Sequence, residues 1–164
     1  SRREQALIYL QDFYSRAEDI NKHLGIVRNP PDKGDKGGFS GNSGSIVVSD
    51  RFYTSTMAYQ TIGLTGRERK AMLVWIKFLA EQGTTRLPKP DRVIFLDTPV
   101  NISLHHLKGK EKDFFETKKK LAAIRNSYLR LAKEEKWLVI NSANSREKQR
   151  SIEDIHQDIW QLIQ

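Results

Sequence analysis

Residues 46–60 read IVVSDRFYTSTMAYQ, and the fold turns on this stretch. Ile46-Val47-Val48 is a short β-branched run of the kind expected in a strand buried on both faces. Asp50 and Arg51 follow at its carboxyl end, where ligands bind in parallel α/β sheets. An Asp-Arg pair there sets a carboxylate beside a planar guanidinium fork suited to phosphate oxygens. Taken alone, the same pair better suits a local ion pair closing a loop, and the residues after it shift the reading. The cluster after it, Ser55, Thr56, Tyr59 and Gln60, supplies neutral hydrogen-bonding groups and an aromatic face. Those are the groups a nucleobase pocket uses.

Outward from this stretch, helical and strand patterns alternate. Upstream, Ala6, Leu10, Phe13, Ala17, Ile20 and Leu24 fall at steps of three and four and predict one amphipathic helix over 6–24. Residues 29–45 are a Gly-rich tract, read as a flexible surface loop. No stretch of the chain matches the phosphate-cradling G-x-x-x-x-G-K-S/T pattern. Downstream, helices are predicted over 55–62 and 65–82, the latter with Met72, Trp75, Ile76 and Leu79 on one side. Val93-Ile94-Phe95-Leu96 reads as a second buried strand ending at Asp97, with Thr98 as an N-cap and Pro99 at a first helical position. A helix carrying Val100, Leu104 and Leu107 follows, then a long one over 113–135. Trp137-Leu138-Val139-Ile140 is the third strand. Ser151 caps a last helix whose Ile152, Ile155, Ile159 and Leu162 face the core. Apolar strands alternating with helices predict an α/β fold with a parallel sheet flanked by helices. Functional residues are then expected just after Val48, Leu96 and Ile140.

The composition suits a single cored domain over 1–164. Of 164 residues, 38% are hydrophobic, and 28 Lys and Arg against 20 Asp and Glu give a formal charge of +8. That balance excludes wholesale disorder and suggests an anionic partner. No apolar run approaches the roughly 18 residues that cross a bilayer, and the polar, charged N-terminus is not expected to be a signal peptide. Cysteine is absent, which excludes disulfides and thiolate chemistry and fits a cytoplasmic setting. His105 and His106 are adjacent, so they point about 100° apart on a helix and do not chelate together. No structural metal is expected. Trp75, Trp137 and Trp160 are expected as core or interface anchors.

IVVSDRFYTSTMAYQ resembles the strand, Asp-Arg-Tyr/His motif and Ser-Thr-x-Ala-Tyr-Gln helix of the thymidylate kinase family. PDRVIFLDTPVNISLHHL (90–107) resembles its next strand with an Asp-x-Pro turn. KGKEKDFFETKKKLAAIRNSYLRLA (108–132) resembles its lid and the helix leaving it. WLVINSANS and SIEDIHQDIWQLI resemble its last strand and helix, and ALIYLQDFYSRAEDI its base-facing helix. The resemblance implies a P-loop kinase-like, nucleoside-monophosphate kinase fold. It also implies transfer of the ATP γ-phosphoryl group to dTMP to give dTDP, with Mg2+ arriving on ATP. The family's opening strand, P-loop and helix have no counterpart in these residues. The expectation is that the sequence is part of a longer chain, or that another segment fills the central place in the sheet.

By the same resemblance, Arg51 binds the acceptor monophosphate and Asp50 orients it or a metal-bound water. Tyr9 stacks on the base, Phe13 stands where the family usually has an Arg, and Thr56, Tyr59 and Gln60 line the nucleoside pocket. Tyr9 also suits plain packing, and Tyr59 and Gln60 ordinary helix positions. The lid, 108–120, carries six Lys against Glu111, Asp113 and Glu116. Its Asp113-Phe114-Phe115-Glu116 departs from the family's usual Asp-Arg-x-Glu, which leaves Lys108, Lys110 and Lys112 to supply charge beside Phe115 and Glu116. A solvated helix face is the plainer reading of such a charge run. The family also implies a homodimer through 65–82 or 6–24. The alternative function is a catalytically inactive kinase-like nucleotide-binding or regulatory protein. A nucleic-acid-binding domain has only the +8 in its favour, and neither nucleic acid nor membrane is expected as a partner.

Overall fold

The structure, a computed structural model, describes residues 1–24, 46–82, 86–106 and 118–163. The Gly-rich tract 29–45, and Lys108, Lys110, Lys112, Phe115 and Glu116 of the expected lid, lie outside the described residues. Lys118, Lys119 and Lys120, also assigned to the lid, are the first residues of a helix. The chain divides into two compact units, Ser1–Gln60 with Leu64–Lys89, and Thr61–Gly63 with Pro90–Gln164.

The first unit is helical. Helix α1, Arg2–Ser15, opens with the Ser1 hydroxyl accepting from the Glu4 amide at 3.3 Å. Its predicted stripe is real: Ala6, Leu10 and, beyond the helix, Ala17 are buried. The single helix expected over 6–24 is nevertheless two. The chain breaks at Arg16 (φ −105°, ψ −1°) and resumes as α2, Ala17–His23. The Ser15 hydroxyl donates back to the Asp12 carbonyl at 2.7 Å, a local bond that competes with the helical ladder and that apolar periodicity does not register. Helix α3, Tyr53–Gln60, packs against α1 and against α4, Gly66–Lys77. Tyr53, Thr56, Met57 and Gln60 are its buried stripe, joined by Ala58.

The helix expected over 65–82 changes pitch. After Lys77 it continues as a π-helical turn, Phe78–Gln82. Side chains and backbone from elsewhere in the unit tie this turn down. The Tyr14 hydroxyl donates to the Leu79 carbonyl at 2.5 Å, the Leu87 amide to the Ala80 carbonyl at 2.7 Å, and the Tyr53 hydroxyl to Glu81 Oε1 at 2.7 Å. Such wide turns are uncommon and concentrate near functional sites.

The strand expected at Ile46-Val47-Val48 does not form. These residues are irregular, and Ile46 and Val48 are 74% and 87% exposed. A strand needs a neighbour for its backbone groups, and no described residue supplies one. β-Branched composition registers strand preference and carries no information on whether a partner is at hand.

The second unit holds the sheet. β1, Ile94–Asp97, and β2, Leu138–Asn141, pair in parallel from Ile94↔Leu138 to Asp97↔Asn141. Helices α5, Val100–His106, and α6, Lys118–Glu135, lie between them in the chain, as a parallel crossover requires. The Pro99 carbonyl accepts from the Ser103 amide, so α5 starts one residue later than predicted. The core comprises Ile102, Leu131, Ala132 and Ile140, with Phe95 and Tyr128 stacked at 4.9 Å. Helix α7, Ile152–Ile163, is capped as predicted, the Ser151 hydroxyl accepting from the Asp154 amide at 3.1 Å. Its apolar face is less covered than expected. Ile155, Ile159 and Leu162 are half-buried, whereas Ile152 and Trp160 are exposed, so Trp160 is no core anchor. Arg150 holds the helix by donating to the Asn141 and Asp154 carbonyls and pairing with Asp158 at 2.8 Å.

Burial raises the Tyr14 pKa above its ordinary value of 10.0, because the phenolate loses hydration in the fold. Folding therefore disfavours the deprotonated form, and stability present below about pH 10 is lost as pH rises toward the folded-state pKa. Tyr14→Phe is expected to cost about 0.5–1.5 kcal/mol at neutral pH, through the lost bond to Leu79. It should also flatten the decline in stability above about pH 10. Thermal denaturation followed from neutral to alkaline pH measures both, and an unchanged alkaline slope counts against the assignment.

Candidate functional site

In the first unit the candidate site is built on the loop between Val48 and α3. Arg51 has φ 66°, in the left-handed region that a side chain reaches only at a cost of about 1–2 kcal/mol. Lys136 and Glu147 are the other non-glycine residues with positive φ among those described. The Ser49 hydroxyl donates to the Arg51 carbonyl at 2.7 Å and braces this conformation. Among the described residues no ion pair joins Asp50 to Arg51, so the loop is not closed by the local pair the sequence allowed. The Arg51 guanidinium instead lies over the Tyr59 ring, 5.9 Å from its centroid. Both Asp50 and Arg51 are exposed.

Phe13 reaches the same loop. Its ring meets Phe52 edge-on at 5.4 Å, and Phe52 lies 4.9 Å from Tyr53. The structure thus brings Arg51, Tyr59 and, through Phe52, Phe13 to one locality. Tyr9 stands one helical turn before Phe13 and is 55% exposed, outside the buried stripe of α1. Thr56 and Gln60 are only 3% and 4% exposed and belong to the inner face of α3.

In the second unit the carboxyl ends of the strands carry polar residues, as a parallel sheet predicts. Asp97 is buried and held by Arg125 of α6 through two bonds, Nε to Oδ1 at 2.5 Å and Nη2 to Oδ2 at 2.8 Å. The hydrogen bonds from Arg125 to Asp97 raise the arginine's pKa above its ordinary value, outweighing its partial desolvation. At the end of β2 the buried Ser142 donates to the Thr98 hydroxyl at 2.8 Å, and its amide to the Asp97 carbonyl at 3.0 Å. Sequence reading placed Asp97 at the strand end but missed Arg125. The signal for it is an Arg directly after Ile124, flanking the apolar stripe of α6, where its long side chain can reach back to the sheet.

Among the described residues no three His, Cys, Asp or Glu side chains gather into a metal-holding group. His106 Nε2 is engaged with Gln149 Oε1 at 2.6 Å.

The parallel β1–β2 pair with polar residues beyond its carboxyl ends places the chain in the α/β class whose ligands bind at strand ends. Within that class it belongs to the thymidylate kinase family, whose family model matches residues 40–159. The chain is 36% identical over 123 residues to the thymidylate kinase of Fervidobacterium nodosum, covering 74% of this chain and 57% of that protein. It is 35% identical over 101 residues to the probable thymidylate kinase 1 of Saccharolobus solfataricus, covering 62% and 48%. The probable thymidylate kinase of Thermococcus gammatolerans is 34% identical over 124 residues, covering 74% and 52%. The chain therefore spans about half the length of the curated relatives it matches. No solved structure gives a significant match.

Arg125→Met is expected to cost about 2–3 kcal/mol, because it strands the Asp97 carboxylate in the interior. That is below the range for a fully buried pair, since the Arg125 side chain is 34% exposed. The double variant Asp97→Leu/Arg125→Met should be less destabilised than Arg125→Met alone, because no unpaired charge remains. Denaturant titration of the three proteins decides this, and simple additivity counts against it.

Proposed function

We propose that the protein is a nucleoside-monophosphate kinase of thymidylate type, transferring the γ-phosphoryl group of ATP to dTMP to give ADP and dTDP. The fold implied by family membership is that of the P-loop nucleoside-monophosphate kinases. The observation that carries the reading is Arg51: an exposed guanidinium, on a loop in a costly backbone conformation, in a chain of this family. Its planar fork suits the oxygens of an acceptor phosphate.

Tyr9 and Tyr59 then belong to the nucleoside side of the site, Thr56 and Gln60 back it from the buried face of α3, and Phe13 closes it with an apolar ring beside Phe52. Lys108, Lys110 and Lys112, with Phe115 and Glu116, form the basic lid that neutralises the transferred phosphates. Phosphoryl transfer asks chiefly for such positioning and charge neutralisation. Mg2+ would come with ATP, since the phosphates supply most of its oxygen ligands and the exposed Asp50 fits a metal-bound water. No residue of the chain matches the P-loop pattern, so none is assigned to cradle the ATP phosphates. The setting proposed is the cytoplasm; no described helix is long and apolar enough to cross a membrane. No observation favours the catalytically inactive alternative.

The testing experiment is calorimetry with dTMP, thymidine and ATP, alongside dTMP-dependent ADP formation. Arg51→Ala is expected to weaken dTMP binding by about ten- to a hundred-fold, as the loss of a charge-assisted phosphate contact implies. Thymidine and ATP affinities should change little. Equal losses for dTMP and ATP would remove this role.

We further propose a homodimer formed through α1 or α4. Leu7 and Ile8 of α1, Val74 of α4 and the adjoining Phe78 are exposed large apolar residues. Sedimentation is expected to give a dimer at micromolar concentration, shifted toward monomer by Ile8→Glu or Phe78→Glu. A monomeric parent chain removes the proposal.

A further inference from the structure

We infer that Tyr59 is a positioning residue for Arg51, holding its guanidinium by the ring face before any acceptor phosphate arrives. The inference rests on the reading of Arg51 as the acceptor-phosphate ligand and deepens it. Resemblance alone puts Tyr59 against the nucleoside. The geometry gives it a second role, through the arginine.

The guanidinium carbon sits 5.9 Å from the Tyr59 ring centroid, within the range of a cation–π contact. The guanidinium carries five N–H donors, more than one ring face can engage. Donors therefore remain for a phosphate while the side chain is already restricted. The other end of the residue is braced as well, since the Ser49 hydroxyl donates to the Arg51 carbonyl at 2.7 Å and the backbone sits at φ 66°. A long exposed Arg side chain otherwise loses rotamer freedom when it binds. Tyr59 lies near the end of α3, whose buried neighbours Thr56, Met57, Ala58 and Gln60 fix the ring's carrier in place. Preset geometry of this kind raises affinity without adding a contact to the ligand.

The test compares the parent chain with Tyr59→Leu, Tyr59→Phe, Arg51→Ala and the double variant Tyr59→Leu/Arg51→Ala. Calorimetry is done with dTMP and with thymidine. Tyr59→Leu is expected to weaken dTMP binding about two- to five-fold more than it weakens thymidine binding, as the loss of an exposed cation–π contact implies. Tyr59→Phe keeps the ring face and should keep the parent's ratio of dTMP to thymidine affinity. In the Arg51→Ala background, Tyr59→Leu should weaken dTMP and thymidine binding equally. Without ligand, the Arg51 side-chain δ protons should show an upfield ring-current shift in NMR spectra of the parent and Tyr59→Phe, lost in Tyr59→Leu.

Equal weakening of dTMP and thymidine by Tyr59→Leu, or an excess loss for dTMP that persists without Arg51, would overturn the inference and leave Tyr59 as a pocket residue only. Absence of the upfield shift in the parent would overturn it independently. If Arg51→Ala leaves dTMP affinity unchanged, the phosphate reading of Arg51 falls instead. The ring-current shift then still decides whether Tyr59 holds the side chain.

Discussion

A carboxylate taken out of water must be fully paired, and the second unit is organised around one that is. Asp97 closes β1, the ladder continues past it through the Ser142 amide, and Arg125 grips both carboxylate oxygens. The pair joins a strand end to a long helix, which also stacks Tyr128 on Phe95. With each carboxylate oxygen accepting from Arg125, Asp97 braces the strand end. The hydroxyls of Ser142 and Thr98 complete a polar cluster whose members satisfy one another, which is the condition under which such a cluster rigidifies a fold.

The first unit meets a different constraint, that of holding a charged, exposed residue in a left-handed backbone conformation. Strain of this size persists only where the surroundings over-determine it. Ser49 braces the Arg51 carbonyl, the guanidinium lies over the Tyr59 ring, and Phe52, the next residue, is wedged between Phe13 and Tyr53. None of these contacts is strong, but they act on the backbone, the side-chain end and the neighbouring residue respectively.

Much of this was legible in the sequence, and the parts that were not share a cause. The buried stripe of α3, the strands at Ile94 and Leu138 and the Ser151 cap follow from periodicity and local chemistry, which lie within a few residues of one another. Ile46-Val47-Val48 misled because a β-branched run states a preference and cannot state whether a partner strand is present. Arg16 misled because the break depends on a serine back-bond inside an otherwise regular stripe. Arg125 was opaque in a further sense, since it finds its partner 28 residues away. Tyr59 was legible as a pocket residue, but its contact with Arg51 depends on where that side chain points. Asp50 and Arg51 stand out in the sequence because residue type and order coincide in one short motif after a β-branched run.

The π-helical turn links these observations. Two tyrosines bond to it, Tyr14 from α1 to the Leu79 carbonyl and Tyr53 from the first turn of α3 to Glu81. Each is next in sequence to a member of the aromatic pair beside Arg51: Tyr14 follows Phe13, and Tyr53 follows Phe52. The wide turn therefore anchors the two helices whose adjoining residues form the wall of the candidate site. A regular α-helical continuation over 78–82 would rotate and shift Leu79 and Glu81 away from those hydroxyls. On this view the irregular turn is a structural counterpart of the strained arginine. One relaxes a helix so that two tyrosines can be bonded, and the bonded tyrosines fix the rings that flank the other.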